Sequence, residues 1–313
     1  MRPEIFSLLT RLRGRQLALV VALDEARSLH RAAHAIATTQ PAATKMLREI
    51  EEMFGVPLYE RLPRGLEPTE YGQLVAQYAR LVLIDLGQLQ EQLANVRAGG
   101  KGSVEAGAIM AAVPRAFVAA VTRLTAEHPQ IKVKLQMDTS DVLVPLLLQS
   151  QLDVVIGRVP DDTPSATINF EPLDEERLCV VCGADNPLAK VRKLKLSMVA
   201  THPWVLQSAP SPMRLLVDNE FADEGKARPN VVVETSSILT MLSLLQVTDM
   251  LSVTPETVAN LYMARGLIAV LPIRLRRSLP PYGVLTRRGR WVPPSVQLFI
   301  DVVRKTAESK KGP

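Results

Sequence analysis

The chain has 313 residues, with 37 Lys and Arg against 32 Asp and Glu, and therefore a formal net charge of +5. Its length suits about two domains, and its content of 47% hydrophobic and 22% charged residues is that of an ordinary globular protein. Disordered and fibrous classes are therefore excluded.

The charge is distributed unevenly along the chain. Residues 1–48 hold eight basic and three acidic side chains, and residues 274–313 hold ten and two, which leaves the middle of the chain acidic. A basic segment binds phosphates, a membrane surface or an acidic protein, and charge alone does not choose among these partners.

Membrane and secretory classes do not fit the sequence. The longest uncharged run, Leu196–Met213, contains three prolines, so it does not form a membrane-spanning helix. Arg11, Arg13 and Arg15 follow a short apolar patch, which reverses the order found in a signal peptide. The sequence therefore predicts a cytoplasmic protein with no membrane partner.

Neither the cysteines nor the histidines indicate a metal or cofactor. Cys179 and Cys182 lie in an apolar, β-branched run that predicts a strand, in which residues three apart face opposite sides. This favours structural thiols and leaves a redox sensor or a metal site as the alternatives. His30 and His34 have a spacing that suits a shared metal, but no third ligand is near. No metal or cofactor is predicted.

Residues 28–54 predict two helices joined by a tight turn. Ser28 is a candidate N-cap for an alanine-rich helix, Leu29–Ile36, and residues 37–39 form the turn. Gln40-Pro41 begins the second helix, where proline in the first turn does no harm. The apolar stripe of this second helix consists of Ala43, Leu47, Ile50 and Phe54.

The opposite face of the second helix is polar. It carries Gln40, Thr44, Lys45 and Arg48, whose side chains suit base edges or phosphates in a major groove. The same residue types are common on any solvated helix, so periodicity alone leaves both interpretations open.

The stretch Leu17–Arg61 closely resembles the DNA-binding segment of LysR-type transcriptional regulators. The family pattern is S-F-T-x-A-A…L…S-Q-P-A-V-S-x-Q-I…L-E…L-G-x-x-L-F-x-R, in which Tyr59 stands here for the last Phe. Leu29, His30 and Thr44 depart from the pattern without removing a DNA contact. The matching residues are Ser28, Ala32, Ala33, Gln40, Pro41, Ala42, Glu51, Gly55, Leu58 and Arg61.

The resemblance implies a winged helix-turn-helix domain over residues 1–70, with a wing from Leu58 to Thr69. It implies binding to an interrupted palindrome in double-stranded promoter DNA by a homodimer or homotetramer, and it leaves RNA polymerase open as a further partner. Residues 1–12 have no counterpart in the pattern. The implied DNA-binding residues are Ser28, Arg31, Gln40, Pro41, Thr44, Lys45, Arg48, Arg61 and Arg64.

A long helix is predicted next, from Glu70 to Arg97, with Thr69 as its N-cap and a glycine-rich hinge at residues 99–102. Residues 71–102 form this linker. Its apolar seam suits pairing with a second helix, and the alternative is a helix that lies on its own domain. The resemblance implies the homodimer. The seam consists of Val75, Tyr78, Val82, Leu86, Leu89, Leu93 and Val96.

Residues 103–313 alternate strand and helix patterns. The order β-α-β-α-β over residues 104–157 predicts a parallel sheet, and a second set of strands and helices follows over residues 178–271. This part resembles the two-lobed, periplasmic-binding-protein-like effector domain of the same family. Lobe I would comprise about 103–171 and 274–313, and lobe II about 172–273. The predicted fold class is α/β with an all-α N-terminal part.

In such sheets ligands bind at the carboxyl ends of the strands, in the crevice between the lobes. A small organic metabolite is the implied effector. The hydroxyl residues that follow the predicted strands are equally good candidates for helix N-caps. The candidate effector-binding residues are Met110, Ala111, Thr139, Ser140, Ser208 and Ser236.

Two other function classes fit the sequence less well. An enzyme does not fit, because the sequence has no G-x-S-x-G elbow, no H-E-x-x-H and no Walker loop, and its four histidines are scattered. The alternative to an effector-modulated regulator is a DNA-binding protein that senses no ligand, either architectural or constitutive.

Overall fold

The structure is a computed structural model that describes residues 11–62, 65–97, 102–164, 166–225 and 228–308. The chain divides into two compact units, residues 1–94 and 95–313. In the described ranges, every helix is too short or too polar to cross a lipid bilayer.

Among the described residues from 14 onwards, the first unit contains three helices, a β-hairpin and most of a long helix. Its core includes the fully buried side chains of Leu19, Leu23, Ile50 and Leu58. The turn before the third helix passes through Ala37, whose φ of 50° is left-handed. The elements are α1 (Gly14–Ala26), α2 (Leu29–Ala35), α3 (Gln40–Phe54), β1 (Tyr59–Leu62), β2 (Gly65–Pro68) and α4 (Glu70–Arg97).

Side-chain caps begin α2, α3 and α4. Ser28 Oγ accepts the Arg31 N–H at 3.5 Å, and Thr69 Oγ1 accepts the Gly72 N–H at 3.1 Å. Both caps were predicted from the sequence and are confirmed. Gly72 also lets α4 approach the wing, because a Cβ at this position would lie 2.0 Å from the Leu58 carbonyl oxygen.

Lobe I of the second unit is built on a five-stranded sheet. Its strands are β3 (Ser103–Ala108), β4 (Lys132–Met137), β5 (Val154–Gly157), β6 (Ile168–Asp174) and β12 (Tyr282–Arg287). They lie in the order β4-β3-β5-β12-β6. β3 pairs in parallel with β4 and β5, as predicted, but β12 is antiparallel to both β5 and β6. The sheet is therefore mixed, because the chain returns from lobe II to add β12 between two earlier strands.

The helices of lobe I are α5 (Val118–Glu127), α6 (Ser140–Leu148) and α10 (Pro294–Glu308). A π-helical turn, Val113–Phe117, precedes α5. The helix α6 ends at Leu148, because the φ of 61° at Ser150 is incompatible with a right-handed helix.

Lobe II contains two small sheets and three helices. The strands are β7 (Leu178–Gly183), β8 (Pro203–Leu206), β9 (Asn230–Glu234), β10 (Ser252–Pro255) and β11 (Ile268–Val270), and the helices are α7 (Pro212–Asp223), α8 (Ile238–Val247) and α9 (Glu256–Met263). An antiparallel sheet has the order β10-β7-β11, and a bridge between Trp204 and Leu251 connects it to the parallel pair β8-β9. In β7, Cys182 faces one apolar cluster and Cys179 packs against another on the opposite side.

Ion pairs connect the basic C-terminal segment to acidic residues in the middle of the chain. Arg277 Nη2 lies 2.7 Å from Asp223 Oδ2 at the end of α7. Arg304 on α10 binds both carboxylate oxygens of Glu171 on β6. Part of the positive charge near the C-terminus therefore holds the second unit together.

Candidate functional site

The first candidate site is the polar face of α3. Pro41 occupies the first turn of this helix, and Thr39 caps it by accepting the Ala42 N–H at 3.4 Å. Ala43, Leu47 and Ile50 are buried in the core, which turns the opposite face outwards. Gln40, Pro41, Lys45 and Arg48 are exposed there, and Thr44 is half-buried.

Within this face the cationic groups are available to a ligand. Lys45 and Arg48 form no ion pair with any residue in the described part of the chain. The Thr44 hydroxyl donates to the Gln40 carbonyl at 2.9 Å, which leaves its lone pairs free to accept. The face therefore presents two cations and several hydrogen-bonding groups together.

The other predicted DNA-binding residues lie around this helix. Ser28 is the N-cap of α2, and the Arg31 guanidinium donates to the Ala26 carbonyl at the end of α1. Arg61 lies on β1 of the wing hairpin, and Arg64 lies outside the described residues. Ser28 and Arg31 thus have local structural contacts in addition to any contact with DNA.

Two further residues position the wing relative to α3. Glu51 Oε1 accepts the N–H groups of Leu58 and Tyr59 at 2.8 and 3.3 Å, and the Tyr59 hydroxyl donates to the Val20 carbonyl at 3.0 Å. Burial, together with nearby Asp24, raises the pKa of Tyr59 well above its ordinary value, so the phenol remains a donor. Glu51 matched the family pattern, but its role in holding the wing was not predicted.

The long helix α4 has an exposed apolar face. Tyr78 is 63% exposed, and Leu86 and Leu89 are each 51% exposed. The predicted seam is wrong at Val75, which packs against the core of its own unit. The side chain of Val96 and the hinge at residues 99–101 lie outside the described residues.

The second candidate site is the crevice between lobes I and II. Its inner part, which we call the inner cavity, has a volume of about 30 Å³. The structure brings four predicted residues together around it: Met110, Ala111, Thr139 and Ser140. Gln207, which precedes the predicted residue Ser208, also lines this cavity.

The two remaining predicted residues are not brought to this cavity. Ser208 is exposed and bonds to Glu234. Ser236 is exposed on the loop before α8, where Ser237 caps the helix by accepting the Thr240 N–H. Both residues lie on loops, after β8 and β9, and sequence patterns do not determine where a loop residue lies relative to the inner cavity.

The hydroxyls at the start of α6 differ in their bonding. Ser140 Oγ accepts the backbone N–H of Arg158 at 3.0 Å, which connects α6 to the end of β5. Thr139 is the N-cap residue, but its side chain makes no capping bond. The Thr139 hydroxyl is therefore the one available to a ligand in the inner cavity.

A buried ion pair lies in the wall of the inner cavity. Arg158 Nη2 is 2.6 Å from Glu176 Oε2, and the side chains are only 6% and 5% exposed. Arg158 Nε also donates to the Pro280 carbonyl at 2.8 Å, and its guanidinium lies over the Tyr282 ring. Burial raises the pKa of Glu176, and Arg158 opposes that rise.

Arg158 therefore contacts both chain segments that cross between the lobes. Glu176 lies in the crossing from β6 to β7, and Pro280 lies in the crossing from β11 to β12. Sequence patterns did not single out this residue. The available signal was a charged residue directly after the fully buried strand Val154–Gly157.

A larger space adjoins the inner cavity and shares Arg158, Pro212 and Leu279 with it. We call this space the outer chamber; its volume is about 420 Å³. Lobe I contributes Asp141, Val159, Pro160, Asp161 and Asp162, and α7 of lobe II contributes Leu215, Leu216 and Asn219. The segment of residues 277–280 closes one side.

In the described part of the chain, no group of three His, Cys, Asp or Glu side chains is arranged to hold a metal ion. Burial raises the pKa of Cys179 to about 12 and that of Cys182 to about 11, so neither thiol is readily ionised.

Two family models match the chain. Residues 14–73 match the bacterial regulatory helix-turn-helix protein of the lysR family, and residues 97–308 match the LysR substrate binding domain. The chain belongs to the LysR family. It is thus a DNA-binding transcriptional regulator whose activity an effector modulates, and not an enzyme.

Several relatives of this LysR-family chain are transcriptional regulators. GbpR of Azospirillum brasilense is 35% identical over 309 residues, which cover 98% of this chain and 90% of that protein. GalR of Pseudomonas putida is 31% identical over 292 residues, which cover 93% of this chain and 73% of that protein. Both are described as HTH-type transcriptional regulators.

Solved LysR-family structures share this fold. Full-length CbnR in complex with its target DNA is 22% identical, with a TM-score of 0.63 and coverage of 94% of this chain and 100% of that one. A full-length OxyR variant from Pseudomonas aeruginosa is 22% identical, with a TM-score of 0.60 and coverage of 94% and 95%. The predicted fold class, a winged helix-turn-helix, a linker helix and a two-lobed α/β effector domain, is confirmed.

Proposed function

We propose that this LysR-family regulator reads an interrupted palindrome in promoter DNA with α3 of two subunits. The base contacts come from Gln40, Pro41, Thr44 and Lys45. The phosphate contacts come from Arg48, Arg61 and Arg64, and the DNA backbone also passes close to Ser28 and Arg31. The observation that carries this proposal is the exposed polar face of α3, on which Lys45 and Arg48 have no acidic partner among the described residues. Base contacts would determine sequence preference, and phosphate contacts would supply affinity.

The two subunits would pair through α4. Its exposed apolar side chains repeat at spacings of three and four residues over Tyr78, Val82, Leu86, Leu89 and Leu93. A single helix of 28 residues with such a face gains stability when a second copy covers it. A two-fold dimer then presents two α3 helices to two half-sites. We propose a homotetramer as the complete assembly.

The effector would be a small organic metabolite in the interlobe crevice. Three features support this site: Thr139 has a free hydroxyl at the inner cavity, the outer chamber is large enough for a metabolite, and Arg158 contacts both crossings between the lobes. A ligand that binds one arrangement of the lobes more tightly than another shifts the assembly between them. Half-site spacing and DNA bending would change as a result.

Selection from a random double-stranded DNA library tests the DNA part of this proposal. We expect enrichment of two inverted half-sites with a spacer. Enrichment of a single asymmetric site would contradict the paired reading. Footprinting on the selected DNA, with and without a metabolite that raises the melting temperature, then tests the effector part. An unchanged footprint would favour the DNA-binding protein that senses no ligand.

A further inference from the structure

The interlobe crevice is divided into compartments of very different size. The inner cavity of about 30 Å³ has room for only a few water molecules. Met110 restricts this cavity, because its side chain reaches across to lobe II, where the Thr254 hydroxyl donates to Met110 Sδ at 3.7 Å. A metabolite therefore has to place most of its atoms in the outer chamber of about 420 Å³.

Both cationic side chains that line the outer chamber are already paired. Arg158 is buried against Glu176 and the Pro280 carbonyl. Arg277 binds Asp223 through Nε at 2.8 Å and through Nη2 at 2.7 Å, and its N–H donates to Glu220. The charge of each arginine is therefore already offset by a carboxylate of the protein.

The acidic side chains of the chamber, by contrast, lack partners. Asp141 Oδ1 is buried and has no hydrogen-bond donor among the described residues. Asp161 and Asp162 are exposed on the loop after β5 and form no ion pair within the described ranges. Three carboxylates thus face a chamber whose two cations are already neutralised, so the chamber has an excess of negative charge.

Two helix N-termini reach the chamber, and such ends ordinarily attract anions. At α6 the protein's own Asp141 occupies the first turn, and Asp138 Oδ1 accepts the Thr139 N–H. At α7 Pro212 has no N–H to offer, and Ser211 Oγ accepts the Arg214 N–H at 3.2 Å. The protein's own groups thus already occupy much of the anion-binding capacity of both ends.

From these observations we infer that the effector is recognised in the outer chamber through hydroxyl or ammonium groups that donate to Asp141, Asp161 and Asp162, and that it carries no carboxylate or phosphate. The inference rests on the proposed effector role of the crevice. Asp141 lines the chamber and one of its carboxylate oxygens has no donor among the described residues, so a donor group on the ligand would offset part of the cost of burying this carboxylate.

Matched ligand pairs test the inference directly. Each pair keeps one carbon skeleton: glucose and gluconate, xylose and xylonate, butane-1,4-diamine and butanedioate. Calorimetric titration should detect binding of the first member of at least one pair and not of the second. Replacing all three carboxylates with amides (Asp141→Asn, Asp161→Asn and Asp162→Asn) should weaken that binding by about tenfold or more. Tighter binding of the acidic member would overturn the inference.

A variant that obstructs the chamber separates failure of the inference from failure of the proposed function. Leu215→Trp adds bulk from α7, where Leu215 lines the chamber. If gluconate binds and Leu215→Trp abolishes its binding, the crevice is the effector site and only the ligand class is wrong. If a polyol or diamine binds equally well to the Leu215→Trp variant, the proposed location of the effector is wrong.

The charge of the chamber is also measurable without a ligand. Ser278 lines the chamber and is exposed, and Ser243 is exposed on α8. The two cysteine variants are made in a Cys179→Ser, Cys182→Ala background, and each is reacted with a cationic and with an anionic methanethiosulfonate. The ratio of the cationic to the anionic reaction rate should be about tenfold higher for Ser278→Cys than for Ser243→Cys. A ratio equal to that of the Ser243→Cys variant would overturn the inference even if none of the paired ligands binds.

Discussion

Arg158 and Glu176 form a buried ion pair between two different segments of the second unit. Arg158 Nη2 lies 2.6 Å from Glu176 Oε2, and the two side chains are only 6% and 5% exposed. The same guanidinium bonds to the Pro280 carbonyl, so a single side chain connects both crossings between the lobes. Replacing Glu176 should therefore affect the stability of the whole second unit. Glu176→Ala leaves the guanidinium buried without its charged partner and should lower the free energy of unfolding by about 3 to 5 kcal/mol.

Urea denaturation measures this loss, and Glu176→Gln is the matched control. Its amide oxygen still accepts from Arg158 Nη2, so it should cost less than the alanine. The Arg158→Met variant adds a test of pH dependence. Burial already raises the Glu176 pKa above its ordinary value of 4.5, and losing Arg158 raises it further. The folded state then holds the proton more tightly, so stability should fall as the pH rises above about 4.5. A pH-independent cost would contradict this account.

The two kinds of DNA contact should respond differently to mutation. Lys45→Ala removes a proposed base contact and should lower the preference for the selected site over random DNA, by about 1 to 3 kcal/mol at one half-site. Arg61→Ala removes a proposed phosphate contact and should weaken binding to both DNAs alike and reduce the salt slope by about 1. Fluorescence anisotropy over a range of salt concentrations measures both effects. An equal loss on specific and random DNA for Lys45→Ala would exclude a base-reading role.

The exposed face of α4 should control the oligomeric state. The double change Leu86→Ser and Leu89→Ser removes two side chains that are each 51% exposed, so it should dissociate the pairing without unfolding the monomer. Sedimentation equilibrium should show a shift towards monomer, and half-site pairing on DNA should be lost. Gln77→Ser, at an exposed position on the opposite side of α4, is the control and should leave the assembly unchanged. If the double variant sediments like the parent protein, the interface lies elsewhere.

The pair between Glu171 and Arg304 should make stability dependent on pH in the acid range. The hydrogen bond from Arg304 lowers the pKa of Glu171 below its ordinary value of 4.5. This contribution is therefore present above pH 4.5 and is lost as the pH falls through the lowered pKa. The side chains are 38% and 43% exposed, so Glu171→Gln should cost only about 0.5 to 1 kcal/mol at pH 7. Thermal unfolding between pH 7 and pH 3 should show that difference disappearing.

Several features of the fold were predictable because they depend on neighbouring residues. The N-caps Ser28 and Thr69, and the bounds of the long helix Glu70–Arg97, follow from side chains within a few positions of each helix end. The parallel pairing of β3 with β4 and β5 follows from the alternation of strands and helices. Met110 and Thr139 reach the inner cavity because they follow strands whose carboxyl ends meet at one edge of the sheet.

The sequence by itself thus determined the family, the helix-turn-helix, the linker helix and the two-lobed architecture. The tertiary structure alone decided that β12 inserts between β5 and β6, that Arg158 pairs with Glu176, and that Asp141 Oδ1 has no donor among the described residues at the outer chamber. Local periodicity and capping are short-range effects, and sequence patterns record them. Whether a charge is buried, paired or free depends on residues that only folding brings together, and the ligand class that we infer for the crevice rests on that balance.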